Sequence, residues 1–406
     1  MMEAIYQSKS FQRAVKRYVK APVHHFAAIV QPALAEVCRA ELEQLGLNEL
    51  AISDAGVEFS GKISECYRAN LWLRTASRIL LRFPSFRAGA VEDLYNRSGK
   101  IRWELWLNPR IPLQIEVHLH RSRIKHHGLA GNAVLTSIRE RMMAKGLPPL
   151  VISLEKGDRE MEEPRKQRII TRIVDNRCTI SVDSSGPLLH RRGYRLRHTG
   201  APLRETLAAA VLMKAGWRAD KPLVDAMTGA GTIAIEAAMI AKNIAPGMNR
   251  TFLFQYWPSF LSSVWEYICR TSREKTLPHS PVPILAIDKD EASVKLARGN
   301  AEQANVASDI KWWVGDFVEF RPASMNLPPG LVIINPPYGR RMKEENDSLY
   351  SLLGKHLRAH FKGWQVAVLI PDRKLIPALR EKKVRVWTVN HGGLDVDIVL
   401  FQIPKE

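Results

Sequence analysis

The chain has 406 residues, 46% hydrophobic and 25% charged, the composition of a soluble folded protein too long for one ordinary core. No apolar run approaches the roughly 18 residues of a membrane helix, and the four scattered cysteines, Cys38, Cys66, Cys178 and Cys269, form no C-x-x-C pair. These features speak against a membrane protein, a disulfide framework or a zinc site, and for a reducing, cytoplasmic setting with no metal. With 60 Lys+Arg against 41 Asp+Glu, the net charge of +19 concentrates polyanions near the surface, so nucleic acid is the expected partner.

Residues 1–20 carry five Lys/Arg and one Glu and hold no apolar stretch. They do not read as a secretory signal, and residues 1–23 are expected to be a basic arm or disordered tail. From residue 24 to about 186, short strand-like runs alternate irregularly with amphipathic helices. His25–Val30 and the alternating Leu113–Leu119 are examples. His118, His120, His126 and His127 lie close in sequence but without Cys or Asp beside them, so a metal site is not expected. Arg121, Arg123 and Lys125 in the same stretch suit RNA phosphate contact, with a plain solvated loop as the alternative. Arg191, Arg192 and Arg195 have a similar claim. Trp72, Trp103 and Trp106 read as core.

Beyond residue 200 the texture changes. Solid apolar runs at Leu223–Val224, Ile284–Ile287, Leu331–Ile334 and Val366–Ile370 are separated by helical segments. That pattern predicts an α/β domain with a buried parallel sheet. Val384–Trp387 and Val396–Leu400 read as a closing hairpin.

The first of these strands runs into Asp225-Ala226-Met227-Thr228-Gly229-Ala230-Gly231-Thr232 and then a helix. Gly229 and Gly231 allow close approach of a ligand to the backbone. The third glycine of a dinucleotide fingerprint is replaced by Ala234, and an acid precedes the turn. Asp225 would repel a phosphate and suit an ammonium, so S-adenosylmethionine fits better than a dinucleotide. Asp288, ending the second strand, is placed to accept ribose hydroxyls. Asp316, ending the third, is placed to accept from an adenine amine or to cap a turn. The tract Thr251–Pro283 makes the interval between the first two acids long, and its aromatics are expected to cover the cofactor cleft.

Asn335-Pro336-Pro337-Tyr338 directly follows the run Leu331–Ile334. At residue frequencies near 5%, a chance match is expected only about 0.003 times in a chain this long. The chemistry accounts for each residue. The lone pair of a nucleobase amine is delocalised into its ring, and two acceptors on its N–H groups free that electron density. Asn335 offers a side-chain carbonyl and Pro336 a backbone one. The prolines stiffen the loop, and Tyr338 offers a face for an extruded base.

Asp225–Thr232, Ile235–Ala241 with Asn243–Gly247, and Asn335–Gly339 together resemble the bacterial large-subunit rRNA guanine-N2 methyltransferases. So do Leu189–Arg195, Ala201–Thr206 and Arg68–Arg78. The resemblance implies a ferredoxin-like segment at 24–75, a THUMP RNA-binding domain at 76–186 and a Rossmann-like methyltransferase domain at 187–406. It implies that Asp225, Gly229, Asp288 and Asp316 hold S-adenosylmethionine, and that Asn335 to Tyr338 hold the guanine. Relatives often carry Pro-Met-Cys-Gly-Ser-Gly where this chain has Ala226–Gly231. One catalytic domain implies one modification, and a monomer is compatible with it. The alternatives are amine methylation of tRNA, DNA or a protein glutamine, or a non-catalytic RNA-binding assembly factor.

Overall fold

A computed structural model of the chain describes residues 2–153, 166–195, 203–337, 346–381 and 383–405. The chain divides into two compact units. One comprises residues 1–30, 38–189 and 250–270; the other comprises 31–37, 190–249 and 271–406.

The first unit is built on an eight-stranded sheet. Its strands are β1 (His24–Ile29), β2 (Ala51–Ser53), β3 (Gly56–Gly61), β4 (Arg78–Arg82), β5 (Phe86–Arg87), β6 (Leu113–His120), β7 (Gln167–Val174) and β8 (Arg177–Asp183). The order is β2-β3-β1-β4-β8-β7-β6, with β5 paired to β8. The segment β1–β4, with helices Ala35–Gln44 and Ile63–Trp72 between strands, is the βαββαβ pattern of a ferredoxin-like fold. Its last strand, β4, lies beyond residue 75, so the expected boundary there is too early. Because β4 pairs with β8, the two expected N-terminal domains share one continuous sheet.

Residues 2–20 depart from the expected tail. They form helices Met2–Gln7 and Lys9–Val15 and a π-helical turn Lys16–Lys20. Phe11, Val15 and Val19 are buried at i, i+4 and i+8, enough apolar surface to hold a charged helix on the unit. The tract after Thr251 is also corrected. Phe254 stacks on Tyr67 with ring centroids 4.3 Å apart, and Trp257 meets Trp106 edge-on at 5.2 Å. These aromatics therefore complete the first unit's core.

The second unit carries β9 (Leu223–Asp225), β10 (Ile284–Asp288), β11 (Ile310–Val314), β12 (Leu331–Ile334), β13 (Gln365–Ile370), β14 (Arg385–His391) and β15 (Leu394–Gln402). Their order is β11-β10-β9-β12-β13-β15-β14. Strands β9 to β13 pair in parallel, and β14–β15 is the antiparallel hairpin expected from the sequence. Leu331–Ile334 is wholly buried, as a strand covered on both faces must be. The chain moves outward to β10 and β11 on one side of β9 and to β12 and β13 on the other. That reversal is a topological switch point, where ligands bind beyond the carboxyl ends of parallel strands.

Candidate active site

Four successive strand ends meet at one cleft of about 620 Å³. Ala226–Ala230 follow β9, Asp288 ends β10 with Lys289 after it, Asp316–Val318 follow β11, and Asn335–Pro337 follow β12; all of them line it. Its size lies within the range of small-molecule sites.

The β9 loop is held from beneath. Asp225 is fully buried, and its Oδ2 accepts from the Thr228 hydroxyl at 2.6 Å and the Ala234 amide at 3.1 Å. Burial raises its carboxyl to about 7, against the pull of those two hydrogen bonds, and the neighbouring charge of Asp288 adds to the rise. The expected direct contact of Asp225 with a ligand is therefore revised, because Asp225 is not part of the cleft wall and shapes the loop that is. Its Oδ1 remains a buried acceptor with no hydrogen-bond partner.

Gly229 has φ +51° and donates its amide to Asp288 Oδ2 at 2.8 Å. Asp288 Oδ1 accepts from the Asp290 amide at 3.1 Å, which fixes the carboxylate at the cleft edge. Gly231 has φ +82°, and a Cβ there would lie 2.8 Å from the Ala297 Cβ, so no side chain fits where this turn meets the helix Glu291–Gln303. Asp316 is exposed in the cleft wall and caps the next turn through the Val318 amide at 3.1 Å. Phe317, which sequence reasoning passed over, forms a flat buried wall and packs edge-on against His356 at 5.1 Å. An aromatic directly after a strand-end acid was the available signal.

Asn335 is partly buried, and its Oδ1 is enclosed without a hydrogen-bond partner. Such an atom ordinarily costs about 1–3 kcal/mol unless a ligand satisfies it. Pro336 is buried and Pro337 exposed beside it. Tyr338 lies outside the described residues.

The arginines divide by burial. Arg192 and Glu236 form an ion pair at 3.3 Å with side chains 2% and 0% exposed. Arg195 donates to Glu205 at 3.0 Å and to Thr232 Oγ1 at 3.1 Å. Both expected phosphate contacts are thus corrected. Their guanidinium groups are spent on buried carboxylates, and Arg195 braces the first residue of the helix Thr232–Ala241. Arg191 is only partly buried. In the first unit, Arg121, Arg123 and Lys125 are exposed, although Arg121 is paired with Asp175 at 2.8 Å. His118, His120, His126 and His127 are exposed too, and among the described residues no three His, Cys, Asp or Glu side chains gather as a metal ion would require.

Comparison with known proteins gives two family matches: residues 192–399 match the RMKL-like methyltransferase domain, and residues 25–80 match the RlmL ferredoxin-like domain. The chain is 33% identical over 400 residues to the ribosomal RNA large subunit methyltransferase K/L of Syntrophotalea carbinolica, covering 95% of this chain and 54% of that one. The chain thus spans about half the length of that relative. A Synechocystis protein named "Putative RNA methyltransferase" is 31% identical, with 93% and 98% covered. A solved structure described as "a putative methyltransferase complexed with SAH" has a TM-score of 0.81 at 28% identity, covering 95% of this chain and 98% of that one.

Proposed function

Because this chain belongs to the RMKL-like methyltransferase family, we propose that it methylates an exocyclic amine of RNA, the N2 of a guanine in large-subunit ribosomal RNA, using S-adenosylmethionine. The observation that carries this reading is the enclosed, unpartnered Asn335 Oδ1 at the end of β12, facing a cleft whose other strand ends present acids. The cleft suits that cofactor. Asp288 can accept ribose hydroxyls, Phe317 gives an apolar wall for an adenine, and the orphaned Asp225 Oδ1 leaves negative potential under Thr228 and Gly229 for a cationic ammonium. A phosphate would meet two carboxylates here. S-adenosylmethionine supplies an electrophilic methyl group on a sulfonium.

The chain's own residues do the rest by holding. Asn335 Oδ1 accepts one N–H of the target amine and the Pro336 carbonyl the other, which localises the nitrogen lone pair toward the methyl donor. Both acceptors are fixed before substrate arrives, so little reorganisation is needed in the transition state. Methylation makes the amine strongly acidic, so its proton can pass to water and no dedicated base is required. Tyr338 is assigned the outer face of the base.

In the first unit, the part beyond β4, residues 83–186, is assigned RNA binding in the manner of a THUMP domain, with the exposed Arg123 and Lys125 on phosphates. A ribosomal RNA substrate fits a protein of the cytoplasm. Incubation with methyl-labelled cofactor and separate rRNA, tRNA, DNA and protein fractions tests the reading. Label in rRNA, recovered as N2-methylguanosine, supports it, and label confined to DNA or protein refutes it.

A further inference from the structure

Residues 9–20 bring together two faces of opposite character. Lys9, Arg13, Lys16, Arg17 and Lys20 are all exposed. On the α-helix Lys9–Val15 and the π-helical turn that continues it, they share the face away from the buried residues and span roughly 15 Å along the axis. Phe11, Val15 and Val19 form the opposite arc and are buried, with Val19 at 0% exposure. The helix is fastened at both ends. Ser8 Oγ accepts from the Phe11 amide at 3.1 Å, and His24 Nε2 lies 2.8 Å from the Val19 carbonyl oxygen. Glu3, the one acid among residues 1–20, is turned to Arg110 at 3.6 Å. Among the described residues, no carboxylate pairs with any of the five cations.

Five like charges along one fixed stripe repel one another, an arrangement that a polyanion stabilises. We propose that the stripe Lys9–Lys20 is a docking surface for the phosphate backbone of double-helical RNA, a partner that rests on the RNA reading above and sharpens it. Single-strand binders add exposed aromatic rings on which bases stack. This face has none, and the one ring at its edge, Tyr18, is covered by the Arg102 guanidinium at 3.8 Å. A basic amphipathic helix can also lie on a membrane, but it does so by inserting its apolar face. Here that face is occupied by the protein's own core. What remains is a sequence-independent ladder of cations that would hold a duplex arm of the substrate while the cleft of the second unit reads one nucleotide.

The test is the full chain with Lys9→Gln, Arg13→Gln and Arg17→Gln combined, substitutions that retain helix propensity and touch neither cleft nor core. Binding to a double-stranded rRNA fragment is measured by fluorescence anisotropy between 50 and 200 mM salt, together with steady-state methyl transfer. Each lost phosphate contact removes about 0.9 from the slope of log affinity against log salt. The triple variant should therefore show a slope shallower by about 2–3 and a KM raised roughly tenfold at low salt, with kcat unchanged. A variant with Arg13→Lys and Arg17→Lys should bind as the unmodified protein does. If circular dichroism shows that the triple variant has lost helix, the single substitutions, each expected to lower the slope by about 1, provide the reading. An unchanged slope and KM, in a chain that still methylates RNA, overturns the inference and spares the function. Binding of anionic lipid vesicles through these residues with RNA affinity unchanged also overturns it. Failure of the unmodified protein to methylate any RNA overturns the function, whatever the variant does.

Discussion

Asp225→Asn isolates the electrostatics of the cofactor loop. The Asp225 carboxyl titrates at about 7 because it is fully buried, although Thr228 and Ala234 donate to it. A cationic ligand above it stabilises the ionised form, so cofactor affinity should follow ionisation. With that value, the ionised fraction rises from about 3% at pH 5.5 to about 50% at pH 7.0, a roughly 16-fold tightening. The window stops near pH 7 because the ligand's own amino group begins to titrate above it. In Asp225→Asn the site has no such proton, and the dependence should vanish. Isothermal titration of S-adenosylmethionine at pH 5.5, 6.0, 6.5 and 7.0 measures both. A flat profile in the unmodified protein, or the same slope in both proteins, refutes the reasoning. The sign for stability is opposite. A folded-state value raised from 3.8 toward 7 means that the folded chain holds the extra proton, so stability falls as pH rises through that interval. The full loss is at most about 4 kcal/mol, and Asp225→Asn should flatten it in pH-dependent denaturant melts.

Three further outcomes follow from the geometry. Asn335→Ala should lower kcat by roughly 10²–10³ while cofactor affinity is kept, as for loss of one preorganised polar group; stopped-time methyl transfer checks it, and near-normal turnover contradicts the assigned role. Gly231→Ala combines a left-handed φ with a Cβ that meets Ala297, and should cost about 1–3 kcal/mol in urea denaturation with weakened cofactor binding. Arg192→Ala strands the buried Glu236 and should destabilise the chain by about 3–5 kcal/mol, whereas Arg123→Ala, on an exposed loop, should leave stability unchanged and weaken RNA binding alone.

The second unit was the more legible in sequence, for a physical reason. Short runs rich in Val and Ile, such as Leu331–Ile334, read as strands buried on both faces, and chemistry at the carboxyl end of such strands follows from parallel topology. That pattern alone puts Asp288, Asp316 and Asn335 at neighbouring strand ends, and the structure brings them to one cleft. What the sequence concealed was the partner of each charge. Arg192 and Arg195 look like Arg123 in a linear reading, and only their pairing with Glu236 and Glu205 in the folded chain removes them from solvent. Asp225 was placed correctly at the loop but read as a direct ligand, since nothing local shows that Thr228 and Ala234 enclose it. At the N-terminus, five cations outweighed the sparse Phe11, Val15 and Val19 periodicity, so a packed helix read as a tail. The aromatics after Thr251 were read as a cover for the cofactor cleft, because their true partners, Tyr67 and Trp106, lie far back in the chain. The boundary at 75 fell short because β4 belongs equally to the ferredoxin-like half and to the strands beyond it.

The central claim is that the loop after β12 holds a guanine amine of ribosomal RNA for methylation. Mass spectrometry of nucleosides from large-subunit rRNA, incubated with S-adenosylmethionine and either the unmodified chain or Asn335→Ala, tests it most directly. The account predicts N2-methylguanosine with the former and a yield lower by two to three orders of magnitude with the latter. Methylation at another base or another nitrogen, or equal yield from both proteins, would contradict it.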